Sequence, residues 1–249
     1  VFRRRQRQMC IRDRFIGCDQ LILIKKNDIS DASLEFYNSD GGMSGACGNG
    51  TRCIADLLGK ENNKKEIVLT TLSGKLKSNI VGEKIVSTEI GVAKTKWDEI
   101  PLSKELNTNN LGIKIIDKNN NEFSGGTAVN VGNPHVVFFV DSNENFEIEK
   151  IGPKIETHSL FPEKCNVTLA TVVNKELIKV RVWERGAGLT KACGTAACAT
   201  AFAAKQNGLV NDKVNIEFST GRLTISIDEN NSIHMKGPVS DIEEINFKI

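Results

Sequence analysis

No apolar run in the chain is long enough to cross a membrane as a helix. The longest plain run, Val136-Val137-Phe138-Phe139-Val140, has five residues where a span needs roughly 18, so no membrane partner is expected. Aromatics are scarce, with one Tyr and two Trp in 249 residues, which leaves little to stack nucleobases. Proline and glycine are in no excess, at 5 and 21, which excludes collagen-like and low-complexity chains. Only three His are present. None completes a zinc set with Cys47 and Cys53, five residues apart in the intervening sequence, or with Cys193 and Cys198, four apart, so no metal is expected.

Against these absences stand 39% hydrophobic and 26% charged residues, an ordinary globular composition for one large domain or two modest ones. Seven Cys, an odd number, without a secretory signal point to free thiols in a reducing, cytoplasmic setting. The net charge of +2 is unevenly placed. Residues 1–14 carry six Arg and one Asp, a net +5, so residues 15–249 carry −3. A basic arm admits a nucleic-acid reading, but nothing beyond it continues a basic, aromatic-interleaved surface, and no nucleic-acid partner is expected. No apolar stretch follows these charges as a signal peptide requires. Val1–Arg14 instead reads as sequence foreign to the rest.

The organising feature is an internal repeat. Residues 34–49, LEFYNSDGGMSGACGN, align without a gap to residues 180–195, VRVWERGAGLTKACGT. The offset of 146 pairs Tyr37 with Trp183, Asn38 with Glu184, Cys47 with Cys193 and Gly48 with Gly194, and upstream it sets Gln20 against Asn166. Each copy reads as a strand, a Gly-rich turn and Ala-Cys-Gly opening a helix. The first predicted helix, from Thr51 to Leu58, has apolar residues at helical spacing and stops at Gly59. The second, from Thr195 to Ala204, is small or apolar on every face, as in a helix buried all round, and stops near Gly208. Nine short β-branched runs between Glu66 and Met235 predict strands. The expected architecture is α+β: two pseudo-symmetric lobes, each a curved, mostly antiparallel sheet wrapped around a central helix. Residues 1–95 would form the N-terminal lobe, with 239–249 packing back onto it, and residues 96–238 the C-terminal lobe. The stretch from Lys94 to Asn110, broken by Pro101 and Asn-rich, reads as the linker.

A Cys at the start of a helix faces unpaired backbone N–H groups and the positive end of the macrodipole. That setting favours thiolate, and the same N–H groups can hold a carboxylate. Two such sites facing one small molecule would move a proton across one carbon, one Cys removing it and the other returning it on the opposite face.

The residues carrying that argument also resemble a known family. Tyr37-Asn38-Ser39-Asp40-Gly41, Ala46-Cys47-Gly48-Asn49-Gly50-Thr51-Arg52-Cys53, Gly132-Asn133-Pro134-His135, Phe161-Pro162 with Asn166-Val167, and Trp183-Glu184-Arg185-Gly186-Ala187-Gly188 with Ala192-Cys193-Gly194-Thr195 are similar to the diaminopimelate epimerases. These are two-cysteine, cofactor-independent amino-acid epimerases. The resemblance implies interconversion of LL- and meso-diaminopimelate for lysine and peptidoglycan synthesis, without cofactor, in a homodimer. It implies Cys47 and Cys193 as the catalytic pair and His135 and Glu184 as groups tuning the thiols. It also implies Gln20, Asn38, Gly48, Asn49, Asn133, Asn166, Glu184, Arg185, Gly194 and Thr195 as substrate ligands. The family opens with a strand and a Gly-Asn-Asp-Phe motif whose Asn contacts substrate. Neither occurs here, so the chain is expected to lack one strand and one ligand where Val1–Arg14 stands.

Plainer readings exist for each residue. Cys47 and Cys193 read alternatively as inert buried thiols, which the fixed offset in a Gly-rich context argues against. Asn38 and Asn133 also suit turns, His135 a core histidine, and Arg185 a surface ion pair. Cys18, Cys53, Cys165 and Cys198 read as structural. Two functional rivals remain open at this point: a proline or hydroxyproline-type racemase of the same fold, and a thiol redox or metal-binding protein.

Overall fold

The computed structural model describes residues 20–38, 41–44, 47–72 and 74–243. Val1–Arg14 and the side chain of Asn38 lie outside what is described. The chain forms two compact units. One runs to Thr88 and takes in the chain again from Gly237; the other is Glu89–Lys236.

The first unit holds β1 (Gln20–Lys25), β2 (Ala32–Asn38), β3 (Met43–Ser44), α1 (Gly48–Asn62), β4 (Glu66–Thr71), β5 (Gly74–Gly82) and the first half of β6 (Ile85–Val92). Its sheet has the order β1-β2-β4-β5-β6, with β3 alongside β2. Among its described strands only β2 and β4 pair in parallel, because α1 supplies the crossover between them. The β4 strand buries every second residue, Ile67, Leu69 and Thr71. Its apolar side chains meet Leu34, Phe36 and Val86 under Ala55, Ile54 and Leu58 of α1.

The second unit begins with the hairpin β7 (Ile113–Ile116) and β8 (Glu122–Gly125). It continues through β9 (Thr127–Asn130), β10 (Pro134–Phe139), α2 (Ile148–Glu156), β11 (Asn166–Asn174), β12 (Leu177–Glu184), β13 (Gly188–Thr190), α3 (Gly194–Gln206), β14 (Lys213–Phe218), β15 (Gly221–Ile227) and β16 (Ser232–Pro238). The order β9-β10-β11-β12-β14-β15-β16 makes one sheet, covered on both faces at β9–β12, while β14 and β15 bury alternate residues. Successive residues of β10 divide between two cores: Val137 joins the cluster around α3, Val136 and Phe138 the cluster around α2. That is why β10 reads as a continuous apolar run. Helix α3 touches β9, β10, β11, β14 and β15, so the sheet curves around it. Every residue from Ala196 to Ala204 is buried.

Strand registers reproduce the repeat. The pair Leu21↔Tyr37 of β1 and β2 recurs as Val167↔Trp183 of β11 and β12, both strands advanced by 146. Phe36↔Ser44 likewise recurs as Val182↔Thr190. Beyond the helices the offset becomes 147: Glu66↔Asn79 returns as Lys213↔Ser226, and Ser78↔Thr88 as Ile225↔Met235. One residue has been gained between helix and strand in the second copy, without disturbing any pairing.

Three details differ from the sequence reading. Helix α1 does not stop at Gly59 but runs to Asn62 and ends on Asn63 in the left-handed conformation, φ 51°. Gly59 is there for close approach, since a Cβ would lie 2.1 Å from Ile80 Cδ1 and 2.9 Å from the Lys64 carbonyl oxygen. Helix α2 escaped notice because Pro153 and Gly152 interrupt a pattern that nonetheless buries Ile148, Ile151 and Ile155 on one face. The Lys94–Asn110 stretch is irregular but packed, with Ile100 and Leu102 buried in the α2 core.

Candidate active site

Both repeated cysteines are N-caps with nearly the same extended backbone: Cys47 at φ −141°, ψ 104° and Cys193 at φ −144°, ψ 117°. The shared conformation follows from the shared Cys-Gly step, which ends a Gly-rich turn and lets the Cys carbonyl accept the first helical bond. That bond comes from Thr51 N–H at 2.8 Å in one copy and Ala197 N–H at 3.0 Å in the other.

The side chains are wired in opposite senses. Cys47 Sγ accepts a hydrogen bond from the Gly50 N–H, 3.3 Å away. Behind it lies the buried guanidinium of Arg52, whose Nη2 donates to Asn49 Oδ1 at 2.7 Å and whose Nη1 donates to the Gly48 carbonyl at 3.2 Å. Burial raises the Cys47 thiol above its ordinary pKa, while the N–H groups of Gly50 and Asn49 and the Arg52 charge pull it back down. Cys193 is more deeply buried and donates its S–H to Glu184 Oε2 at 3.0 Å, with Thr195 Oγ1 at 3.4 Å. Burial and the adjacent Glu184 charge hold this thiol well above the usual range. The expectation that each helix terminus alone would favour thiolate is thus corrected. Desolvation outweighs the N–H groups at both positions, and at Cys193 a carboxylate acts in the same direction.

The other predicted residues of the second unit form one connected group around β10 and β11. His135 is fully buried and pairs in register with Asn166; its Nε2 hydrogen-bonds Asn133 Oδ1 at 2.8 Å, rather than a thiol. Burial, reinforced by the Arg185 charge, drives its pKa down to about 3, so the ring is neutral, and its Nδ1 has no partner among the described residues. Asn166 is used at both ends: Nδ2 donates to the Pro134 carbonyl at 3.1 Å, and Oδ1 accepts the Arg185 N–H at 3.0 Å. It thereby holds the turn that bears Glu184 and Arg185. The exposed Arg185 side chain donates to the Glu163 carbonyl at 2.8 Å. In the first unit Gln20 stands opposite Asn38 across β1 and β2. Gly48 and Asn49, and Gly194 and Thr195, occupy the first positions of α1 and α3, where helix-terminal N–H groups suit a carboxylate. Among the described residues no group of His, Cys, Asp and Glu is arranged to hold a metal ion.

Two participants were not singled out from sequence. Arg52 had a signal: the repeat sets it against Cys198, a small buried residue, so a cation appears in one copy only. Glu156 had none. Its carboxylate is buried, and only the packing of α2 brings it to the Trp183–Gly186 turn.

Comparison with known proteins gives concordant likenesses. A family model described as Diaminopimelate epimerase matches residues 1–96 and 127–242. The chain is 69% identical over 235 residues to a diaminopimelate epimerase of Pelagibacter ubique, covering 94% of this chain and 86% of that one. It is 40% identical over 233 residues to that of Acidiphilium cryptum, covering 94% and 82%. Among solved structures it resembles a probable proline racemase from Agrobacterium radiobacter, with TM-score 0.66 and 10% identity over 98% of this chain and 81% of that one. A hydroxyproline epimerase from Agrobacterium vitis gives 0.65 and 14% over 94% and 77%. At such identities these two likenesses concern the fold alone.

Proposed function

The chain belongs to the diaminopimelate epimerase family, and from that premise we propose that Cys47 and Cys193 are the two acid–base groups of its reaction. The enzyme is an isomerase that epimerises diaminopimelate, a step of lysine biosynthesis. Inversion at Cα needs a base on one face and an acid on the other. The observation that carries the assignment is the opposite wiring of two N-cap thiols. Cys47, receiving an N–H and with the Arg52 charge drawing its raised pKa back down, is the more readily ionised of the two. Cys193, donating to Glu184, is the one equipped to keep its proton.

In the direction that starts from this protonation state, Cys47 removes the α-proton. The resulting carbanion is stabilised by its carboxylate, which the N–H groups of Gly48-Asn49 and Gly194-Thr195 hold. Cys193 then delivers its own proton to the opposite face, leaving Cys47 as thiol and Cys193 as thiolate. The reverse direction starts from that second state. Gln20, Asn38, Asn133 and Asn166 with Glu184 and Arg185 would fix the rest of the substrate. Arg185 offers the planar donor fork that suits a distal carboxylate. His135, neutral at working pH, acts on this group through Asn133. Acid and base are both side chains, so the reaction as proposed calls for no cofactor. A homodimer in the cytoplasm, with LL- and meso-diaminopimelate as its small-molecule partners and neither nucleic acid nor membrane, completes the reading. Sedimentation tests the first of these.

The experiment for the pair is α-hydrogen exchange of LL-diaminopimelate in deuterium oxide under reducing conditions. Deuterium at Cα with inversion, lost on replacing either Cys47 or Cys193 by Ala, supports the two-thiol route. Persistence of inversion in either variant overturns it. Silence of the unaltered chain with LL-diaminopimelate, together with exchange of proline, would move the substrate to the proline class.

A further inference from the structure

The turn between β12 and β13 presents Glu184 to Cys193, yet it is exposed from Arg185 to Ala187 and would be loose if nothing held it. Asn166 Oδ1 holds it from one side through the Arg185 N–H, and helix α2 supplies the second restraint. Glu156, the last residue of that helix, is buried and spends its two carboxylate oxygens on the two flanks of the turn. Oε2 accepts the Trp183 indole N–H at 2.8 Å, and Oε1 accepts the Gly186 backbone N–H at 3.1 Å. Glu184 and Arg185 are the residues between these anchors. The helix is shaped to allow this, because a Cβ at Gly152 would lie 2.3 Å from Trp183 Cγ. Only glycine there lets the indole rest against α2 with its N–H aimed at Glu156. A surface carboxylate could be replaced by water; a buried one with two N–H donors and no spare acceptor partner cannot be, and leaving either donor unmade is costly.

We propose that Glu156 is a positioning residue for the reaction, clamping the Trp183–Gly186 turn so that Glu184 stays on the Cys193 thiol. This rests on the reading of Cys193 as an acid–base group. Around Glu156 the charged or titratable neighbours are Lys164, 3.8 Å from Oε1, and the Cys165 thiol, whose surroundings include both Glu156 and Arg185. Around Cys193 they are Glu184 and, as hydrogen-bonding groups, Thr195 and the Ala196 N–H. When the clamp loosens, Glu184 withdraws, and the negative charge that holds the Cys193 proton in place withdraws with it. The protonated thiol is then lost at lower pH.

The test is Glu156→Gln, which keeps the size but turns one of the two acceptors into a donor. Expected is a fall in kcat of order 10–100-fold, as for a displaced catalytic group, with a smaller change in KM, and a shift of the alkaline limb of the kcat/KM profile to lower pH. Trp183→Phe, which deletes one donor and keeps an aromatic ring on α2, should show the same two changes in smaller measure, and decides the matter if Glu156→Gln does not fold. Unchanged kcat with an unmoved alkaline limb overturns the proposal. So does a loss of activity that only follows the unfolded fraction, measured by circular dichroism, with the limb unmoved. Cys193→Ala serves as the control. If it still inverts substrate, the acid–base reading has failed, whereas an inert Cys193→Ala beside a normal Glu156→Gln means that only the clamp has failed.

Discussion

The two halves share backbone geometry and strand register but surround their cysteines with opposite charges. In the first unit the charge of the buried Arg52 acts on the thiol and a backbone N–H donates to it. In the second a carboxylate accepts the proton of the thiol. One fold, used twice, thus gives its two thiols different surroundings because single positions differ: Arg52 stands against Cys198, and Asn38 against Glu184. The repeat sets where each thiol stands, while the neighbour at one matched position sets the direction in which its charge acts on that thiol, Arg52 downward on Cys47 and Glu184 upward on Cys193. In the second unit Asn166 and Glu156 hold the turn that bears Glu184, and all three His of the chain, at 135, 158 and 234, lie in that unit.

The comparison breaks most sharply at the thiols themselves. Cys47→Ala and Cys193→Ala should each lower epimerisation by about 10³-fold or more, the range for loss of a positioned acid or base, read as deuterium incorporation with inversion. Glu184→Gln should make the second thiol resemble the first. Glu184 raises the Cys193 pKa, so removing its charge lowers that pKa, moves the alkaline limb of kcat/KM to lower pH and reduces the rate by on the order of 10–100-fold. A pH profile that does not move would show that Glu184 acts only by shape.

Acid sensitivity should trace to the second unit through His135. Its folded pKa of about 3 lies below its ordinary 6.5, so the unfolded chain binds the extra proton between these values. Stability is therefore full above about pH 6.5 and falls as the pH drops through that window. Between pH 7 and pH 5 this one residue should cost about 2 kcal/mol, a slope that His135→Asn removes in urea titrations at the two pH values. A smaller effect belongs to the first unit. Gly59→Ala gains about 1 kcal/mol of helix propensity but forces a methyl into Ile80 and the Lys64 carbonyl, so overpacking should leave a net loss of about 1 kcal/mol. The repeat-matched residue, Lys205, is half-exposed and ion-paired to Asp212, so Lys205→Ala should change the urea midpoint much less.

Much of this was legible in the chain of letters. The offset of 146 between Cys47 and Cys193 is a pattern of residue types, and registers preserve such patterns because slipping a strand by one residue turns every side chain to the wrong face. The same logic made α3 readable as a buried helix, since no polar face appears in Gly194–Gln206. Helix α1 was readable in its first turns and misread at Gly59, because a glycine that ends a helix and one that admits a neighbouring strand look alike until that strand is in place. Helix α2 was missed because Pro153 lies inside it.

By itself the sequence determined the family, the α+β class and the doubled Cys-Gly motif, because these depend on residue type and spacing along one strand or helix. Only the tertiary structure decided the protonation logic. Which group desolvates Cys193, which donor reaches Cys47, and that Glu156 of α2 holds the Glu184 turn all depend on contacts between segments far apart in the chain. Burial and charge act through space, and a pattern along the chain does not carry them.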